Sequence, residues 1–465
     1  MTAPPTSPGP WLERLPDGTI RQRSPITGTV VWTVPGRANR PFASPQPTAR
    51  PLTQDTFADA CAFCSSRYLE TPPEKTRLII GPDDRPDGGG DGDGAEPWRV
   101  EHHVPADQVS VTVADFRRFP NLFEILPFDY WHTNLGFQVP AEAAAWARDY
   151  MASPTGRAHV LDIARTRARA SGADAELSAA DGAASDRAAA DHEQALLAGA
   201  ASLFASSHDV IAARRHFVDG ASMDDELASS GDLSPVEHHA FLALTAAGLA
   251  DLSRSNPLAR HVVAFQNWLR PAGASFDHLH KQLVAIDDYG PLLTRILAML
   301  SDDPNLFNTV IADPAARDRL VIAENDHAIA LAGVGHRYPT VEVFSTGTAN
   351  RPWEHSATQM RAVSDLLRAC HAATGRLVPT NEEWHYRPVG VERAMPWRIN
   401  LKWRVSTLAG FEGGTKINVN TISPFTLRQR MVAGLGRLRA AGTIAPMRIG
   451  DECSHRPGAL RYTEG

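Results

Sequence analysis

Two short motifs in this 465-residue chain set chemically capable side chains at useful spacings. The first runs D-H-L-H-K-Q-L from Asp277 to Leu283. Side chains alternate along an extended backbone, so His278, His280 and Gln282 share one face at intervals of about 7 Å. Just before them, G-A-S at 273 to 275 forms a small-residue turn whose backbone amides and Ser275 hydroxyl can approach a phosphate closely. A neutral imidazole attacks phosphorus and leaves again once protonated, while an uncharged amide such as Gln282 can donate to a phosphoryl oxygen as charge develops. A half-buried strand with hydrogen-bonded histidines is the plainer alternative for an isolated H-x-H. The second motif is C-A-F-C, in which the gap between Cys61 and Cys64 lets both thiolates reach one zinc ion at about 2.3 Å. A redox pair or two buried cysteines fit the same spacing. Histidine is plentiful at 18 residues; His278 and His132 are the best candidates to complete a tetrahedral ligand set, with His102 and His103 as competitors.

Several elements must hold these groups. A turn and a β-branched run, I-T-G-T-V-V-W-T-V, predict a strand near residue 30, after which Arg37 and Arg40 leave the strand's end. The stretch from Pro82 to Pro97 is too rich in Gly and Asp to pack and reads as a surface loop. Residues 98 to 137 look strand-like, through W-R-V, V-S-V-T-V and F-P-N-L-F-E-I-L-P-F, and a helix opens near Pro140. Residues 165 to 232 are Ala-rich with alternating charge and read as a helical or partly disordered insertion. At Ser234 the string S-P-V-E is a capping box opening a helix through Leu252, and H-V-V-A-F-Q-N-W-L-R then predicts a buried strand leading into the histidine motif. Helix, strands (L-V-I-A-E, T-V-E-V-F), a helix at 357 to 373, strands around W-R-I-N-L-K-W-R-V and a last helix after Pro424 follow. Strands and helix occurring twice suggest an internally duplicated α+β unit with antiparallel sheets, divided as 1 to 300 and 301 to 465.

The formal net charge is -7, with both signs spread along the chain, and no window approaches the roughly 18 apolar residues of a spanning helix. Small molecules are favoured over nucleic acid or membrane as partners, and a cytoplasmic location is expected. Four cysteines, Cys61, Cys64, Cys370 and Cys453, are too few for a disulfide framework at this length.

The motifs together resemble those of the galactose-1-phosphate uridylyltransferases of the histidine-triad superfamily. Phe265, Asn267, Gly273, Ser275, His278, His280 and Gln282 follow that family's F-x-N, G-x-S and H-x-H-x-Q. The opening P-I-T-G and P-G-R-A-N-R-P, the C-A-F-C pair, and A-G-F-E-G-G-T-K-I-N-V-N-T-I-S-P at 409 to 424 are also similar, the last to the ADP-glucose phosphorylase-like branch. The resemblance implies a duplicated histidine-triad-like unit and a nucleoside monophosphate carried covalently on His280, with Gln282 supporting the phosphoryl group. It implies structural zinc on Cys61, Cys64, His278 and His132, and nucleotide contacts from Arg37, Arg40, Asn267 and Ser275. The implied partners are a nucleotide sugar and a sugar phosphate or phosphate, as in galactose metabolism, and the implied assembly is a homodimer. A phosphorylase acting on nucleotide sugars or dinucleoside polyphosphates, or a nucleotide-binding protein without turnover, are the alternatives. Some members hold a second metal through H-x-H on the late strand; Asn400 and Lys402 stand there instead, although His385 resembles another of its ligands, so a second metal is not expected.

Overall fold

The computed structural model describes residues 11–35, 49–53, 57, 59–81, 96–170, 193–197, 199–406 and 409–464. Twelve strands join in one sheet. From one edge the order is Trp98–His102, Thr76–Ile80, Phe116–Pro120, His208–Ala213, His280–Ile286 and His261–Trp268; it continues through Thr380–His385, Arg398–Trp403, Thr340–Ser345, Ala328–Ala332, Val321–Glu324 and Arg448–Ile449. Every adjacent pair is antiparallel. The seam lies where His261–Trp268 meets Thr380–His385, in the register Gln266 to Glu382 and Asn267 to Asn381.

Read outward from that seam, the two sides repeat one plan. Each seam strand follows a long helix, Pro235–Ser255 on one side and Ala357–Thr374 on the other. Both helices open on a capping box, in which the Ser234 and Ser356 hydroxyls accept from the amides of Glu237 and Gln359 and those side chains accept in return. Each seam strand then turns back into its outer neighbour, His280–Ile286 or Arg398–Trp403. The chain thus has the mixed α+β, duplicated and antiparallel architecture expected.

The two helices, with Pro424–Ala440, cover one face of the sheet. Alternation sends Lys281 to that face, between His280 and Gln282. There it pairs with Glu382 of the other half, with both side chains fully buried. Glu382 also accepts from the Trp384 indole at 2.6 Å and bonds His371 of the second helix at 2.8 Å. Burial alone would raise the Glu382 carboxyl; the Lys281 ammonium and the His371 bond outweigh it and hold it ionised. Removing either member of such a pair strands a buried charge.

The opposite face carries the His280 and Gln282 side. Near its second half sits a small sheet of Leu12–Arg14, Ile20–Arg23, Val30–Thr33 and Ile417–Val419, the last parallel to Val30–Thr33. The N-terminal hairpin therefore packs with late residues, across the division at 300. Its seating needs Gly335, at φ 73°, because an added Cβ would come within 2.1 Å of the Ser24 backbone nitrogen.

Three expectations change. V-S-V-T-V, at 109 to 113, is turn and coil: buried Arg77 takes the Val109 and Thr112 carbonyls at 2.9 Å, so no ladder forms there. Phe128–Leu135, read as extended, is a helix that starts after Pro127. The supposed insertion at 165 to 232 holds a fully buried sheet strand, His208–Ala213, paired to His280–Ile286. Its six residues lack alternation because both faces are covered. The Ala-rich center of that stretch, 171–192, lies outside the described residues.

Candidate active site

His280 opens its strand and is 4 % exposed. Its Nδ1 lies 2.7 Å from the His278 carbonyl oxygen, an acceptor only, so Nδ1 carries the proton and Nε2 keeps its lone pair. Burial holds the imidazole at about 4, so the ring is neutral at pH 7. The Phe63 ring, from inside C-A-F-C, meets His280 at 5.4 Å and His278 at 5.8 Å between centroids. One aromatic side chain thus packs the cysteine loop against both motif histidines.

Gln282 is oriented by residues that carry no motif. Ile125 donates its amide to His208 Nδ1 at 3.0 Å, which leaves the proton on Nε2. That Nε2 reaches Gln282 Oε1 at 3.0 Å, and Asn121 Nδ2 reaches the same oxygen at 3.4 Å. With Oε1 engaged, the Gln282 amide nitrogen is the group left to donate. Burial holds His208 at about 4, and it too is neutral at pH 7.

Asn267 is half-buried on the same face; its Oδ1 accepts from Asn381 Nδ2 at 2.7 Å, while Arg404 donates to Asn381 Oδ1 at 2.6 Å. The second half therefore buttresses this position. Ser275 lies exposed in the bend after Gly273, whose φ of 91° closes the turn. Arg37 and Arg40 lie outside the described residues.

Beside His280 four ligand atoms converge, from Cys61, Cys64, His216 and His278, all within 4.8 Å of one another. The sulfurs are 3.9 Å apart, and the two Nδ1 atoms stand 3.4 to 3.9 Å from them. Tetrahedral zinc with ordinary Zn–S and Zn–N bonds would set such atoms roughly 3.5 to 3.8 Å apart. The set fits a metal ion in geometry and in donor type. The remaining nitrogen of His278 donates to the Ala213 carbonyl at 2.7 Å, an outer bond that fixes the ring. Hydrogen bonding from Cys61, then from His216 and His278, lowers the Cys64 thiol, while its bond to Cys64 and burial raise Cys61.

His132, the histidine read from the sequence as fourth ligand, is not in this set. It is exposed on the Phe128–Leu135 helix, with Nδ1 2.8 Å from the Phe137 carbonyl and its ring stacked on Phe128. His216 occupies the place, because the His208–Ala213 strand runs beside His280–Ile286 and the chain leaving it turns back over His278. His102 bonds Thr76 and His103 stacks on Trp146, both away from the cluster. The signal for His216 was an apolar H-D-V-I-A-A run ending three residues before it.

On the late strand Asn400 and His385 meet at 3.3 Å, and Lys402 reaches Glu383 at 2.5 Å. Among the described residues the Cys61 cluster is the one group of metal-ligating type. No helix of the described residues is long and apolar enough to cross a membrane.

A duplicated antiparallel sheet bearing H-x-H-x-Q beside a two-cysteine, two-histidine cluster defines a GALT-like fold. An ADP-glucose phosphorylase from Arabidopsis thaliana with bound ADP-glucose superposes with a TM-score of 0.53 at 17 % identity, covering 89 % of this chain and 97 % of that one. A GALT-like protein of the same plant gives 0.51 at 16 % identity, over 89 % and 98 %. In sequence the chain is 25 % identical over 210 residues to an Arabidopsis ADP-glucose phosphorylase, covering 41 % of this chain and 60 % of that protein's length. A family model described as a domain of unknown function, DUF4921, matches residues 15–462, and the chain belongs to that family.

Proposed function

We propose that this protein is a nucleotidyltransferase that moves a nucleoside monophosphate from a nucleotide sugar to phosphate or a sugar phosphate through a covalent adduct on His280. The observation that carries the reading is the fixed tautomer: with Nδ1 committed to the His278 carbonyl, a neutral, buried Nε2 faces the open side of the sheet beside Gln282. In the first step Nε2 attacks the α-phosphorus, the N–P bond forms, and the bond to the departing sugar phosphate breaks. The Gln282 amide donates to a non-bridging oxygen in the crowded transition state. An oxygen of the acceptor then attacks phosphorus and His280 is restored. Asn267, Ser275, Arg37 and Arg40 are assigned to nucleotide and phosphate contacts, where positioning supplies much of the rate.

Cys61, Cys64, His216 and His278 would hold zinc, whose contribution is to brace the strand that carries His280. The likeness to an ADP-glucose phosphorylase favours ADP-glucose as donor and inorganic phosphate as acceptor. The test is incubation with α-labelled ADP-glucose, UDP-glucose or ATP. Acid-labile, base-stable label on the protein, released by phosphate or a sugar phosphate, is the expected result. Absence of label with every donor, or label that persists in His280→Ala, would overturn the reading.

A further inference from the structure

The open face at the seam holds a cavity of ≈ 450 Å³. Strand register puts it next to His280. Gln282 pairs with Phe265, and the same ladder carried two residues further sets Asn267 beside His280; Asn267 pairs in turn with Asn381, and Asn381 with Lys402. Phe265, Asn267 and Asn381 all line the cavity, as does Arg404, just past the end of the Arg398–Trp403 strand. Two strand spacings, about 10 Å, separate the His280 and Asn381 backbones.

The charges of this cavity do not all cancel. Lys402 meets Glu383 at 2.5 Å. The half-buried Arg404 guanidinium donates from Nη1 to Asn381 Oδ1 at 2.6 Å and lies over the Tyr338 ring at 4.7 Å, and among the described residues it pairs with no carboxylate. Of its five N–H donors, those on Nη2 stay available to a ligand. The Asn381 amide nitrogen is spent on Asn267 Oδ1 at 2.7 Å and the Ala272 carbonyl at 2.8 Å, so Arg404 is tied to the turn that leads to Ser275. A guanidinium held in place beside a cavity is a phosphate receptor, since charge and hydrogen bonds act together.

Away from Arg404 the walls change character. Phe265, Leu292, Leu293 and Ile296 offer apolar surface suited to C–H faces. Glu383 Oε2 faces both Lys402 and His385, which leaves Oε1 to accept from hydroxyls. A nucleobase placed here would leave the Arg404 charge unanswered. Flat aromatic surface lies instead on the other side of His280, where Phe63 and the exposed Phe276 meet at 4.8 Å between centroids.

We infer that Arg404 binds the phosphate of the sugar phosphate that departs from His280's substrate, with the sugar in the adjoining cavity, and that the acceptor's phosphate later takes the same place. This assignment rests on the nucleotide-transfer reading and adds to it the residue that selects an anionic leaving group. The second half thereby contributes to the reaction through a cation rather than a nucleophile.

The test is calorimetry on the full chain carrying His280→Ala, so that no turnover intervenes, with glucose 1-phosphate, D-glucose, inorganic phosphate and AMP. Glucose 1-phosphate should bind at least about tenfold more tightly than D-glucose. Adding Arg404→Met should weaken glucose 1-phosphate and phosphate at least about tenfold and AMP much less, and Arg404→Lys should recover part of the loss. Should Arg404→Met melt below the working temperature, Leu292→Trp crowds the sugar from a half-buried wall position and should weaken glucose 1-phosphate while sparing inorganic phosphate. Glucose 1-phosphate no tighter than D-glucose, binding unchanged in Arg404→Met or in Leu292→Trp, or an equal loss for AMP would each overturn the inference. Arg404-dependent binding of glucose 1-phosphate in a protein that takes no label from any donor would sink the transfer reading and leave this site standing.

Discussion

The strand on the outer side of the seam carries His280 and Gln282 in the first half, and Asn400 and Lys402 in the second. Both strands sit at the same place in the repeated plan and present these residues to the same open face. In the first half the neighbours take up one atom of each polar group and leave the other available: the His278 carbonyl engages Nδ1 and leaves Nε2, and His208 engages Oε1 and leaves the amide nitrogen. In the second half Lys402 spends its charge on Glu383 and Arg398 on Glu342. One scaffold thus carries two differently committed faces, with charges paired to each other along the second-half strand and uncharged groups keeping one atom available in the first.

The sharpest way to break this contrast is His280→Ala. Transfer should fall by about 10⁴-fold or more with loss of the protein-bound nucleotide. Label that survives and maps to residues 398 to 404 would show that the second half is reactive after all. Next, His216→Ala should abolish stoichiometric metal and destabilise the first half by several kcal/mol (~3 or more), read by metal analysis and thermal melting, while His132→Ala keeps the metal. The reverse outcome would restore the ligand set first read from the sequence. Lys281→Met, which leaves Glu382 buried and alone, should cost about 3–5 kcal/mol in urea unfolding; Lys281→Met with Glu382→Leu should recover much of it.

A smaller effect is expected from His208→Phe, which keeps a ring but removes the donor to Gln282. A fall in kcat of about 10- to 100-fold with less change in KM would locate its contribution in the transition state. The remaining expectation concerns pH. Burial sets His208, His239 and His261 at about 4, below the 6.5 of a free imidazole. The unfolded chain then binds protons first, so stability is complete above pH 6.5 and declines as pH falls toward 4, by on the order of 1 kcal/mol per unit for each group. A melting temperature that stays level from pH 7 to 4.5 would contradict this.

Much of the site was legible because its chemistry is local. C-x-x-C, H-x-H-x-Q and the capping box of Ser234 each declare themselves within seven residues, and the structure sets the first two side by side. His216 and His208 were not legible. Both depend on the His208–Ala213 strand, whose buried faces give no alternation and whose neighbours in sequence are rich in alanine. Strand pairing across 70 residues brings them to Gln282 and His278, and no local pattern encodes that. The fold followed the same division: capped helices and β-branched strands were visible, whereas the turn held by Arg77 depends on carbonyls being claimed by a distant guanidinium.

Lys281 adds a consequence for how the halves depend on each other. Its strand faces two ways, toward the open side through His280 and Gln282 and toward the interior through the residue between them. Glu382 belongs to the interior, where its carboxylate anchors the strand that carries His280 and Gln282. The second half thus forms part of the first half's foundation, whatever its own open face binds.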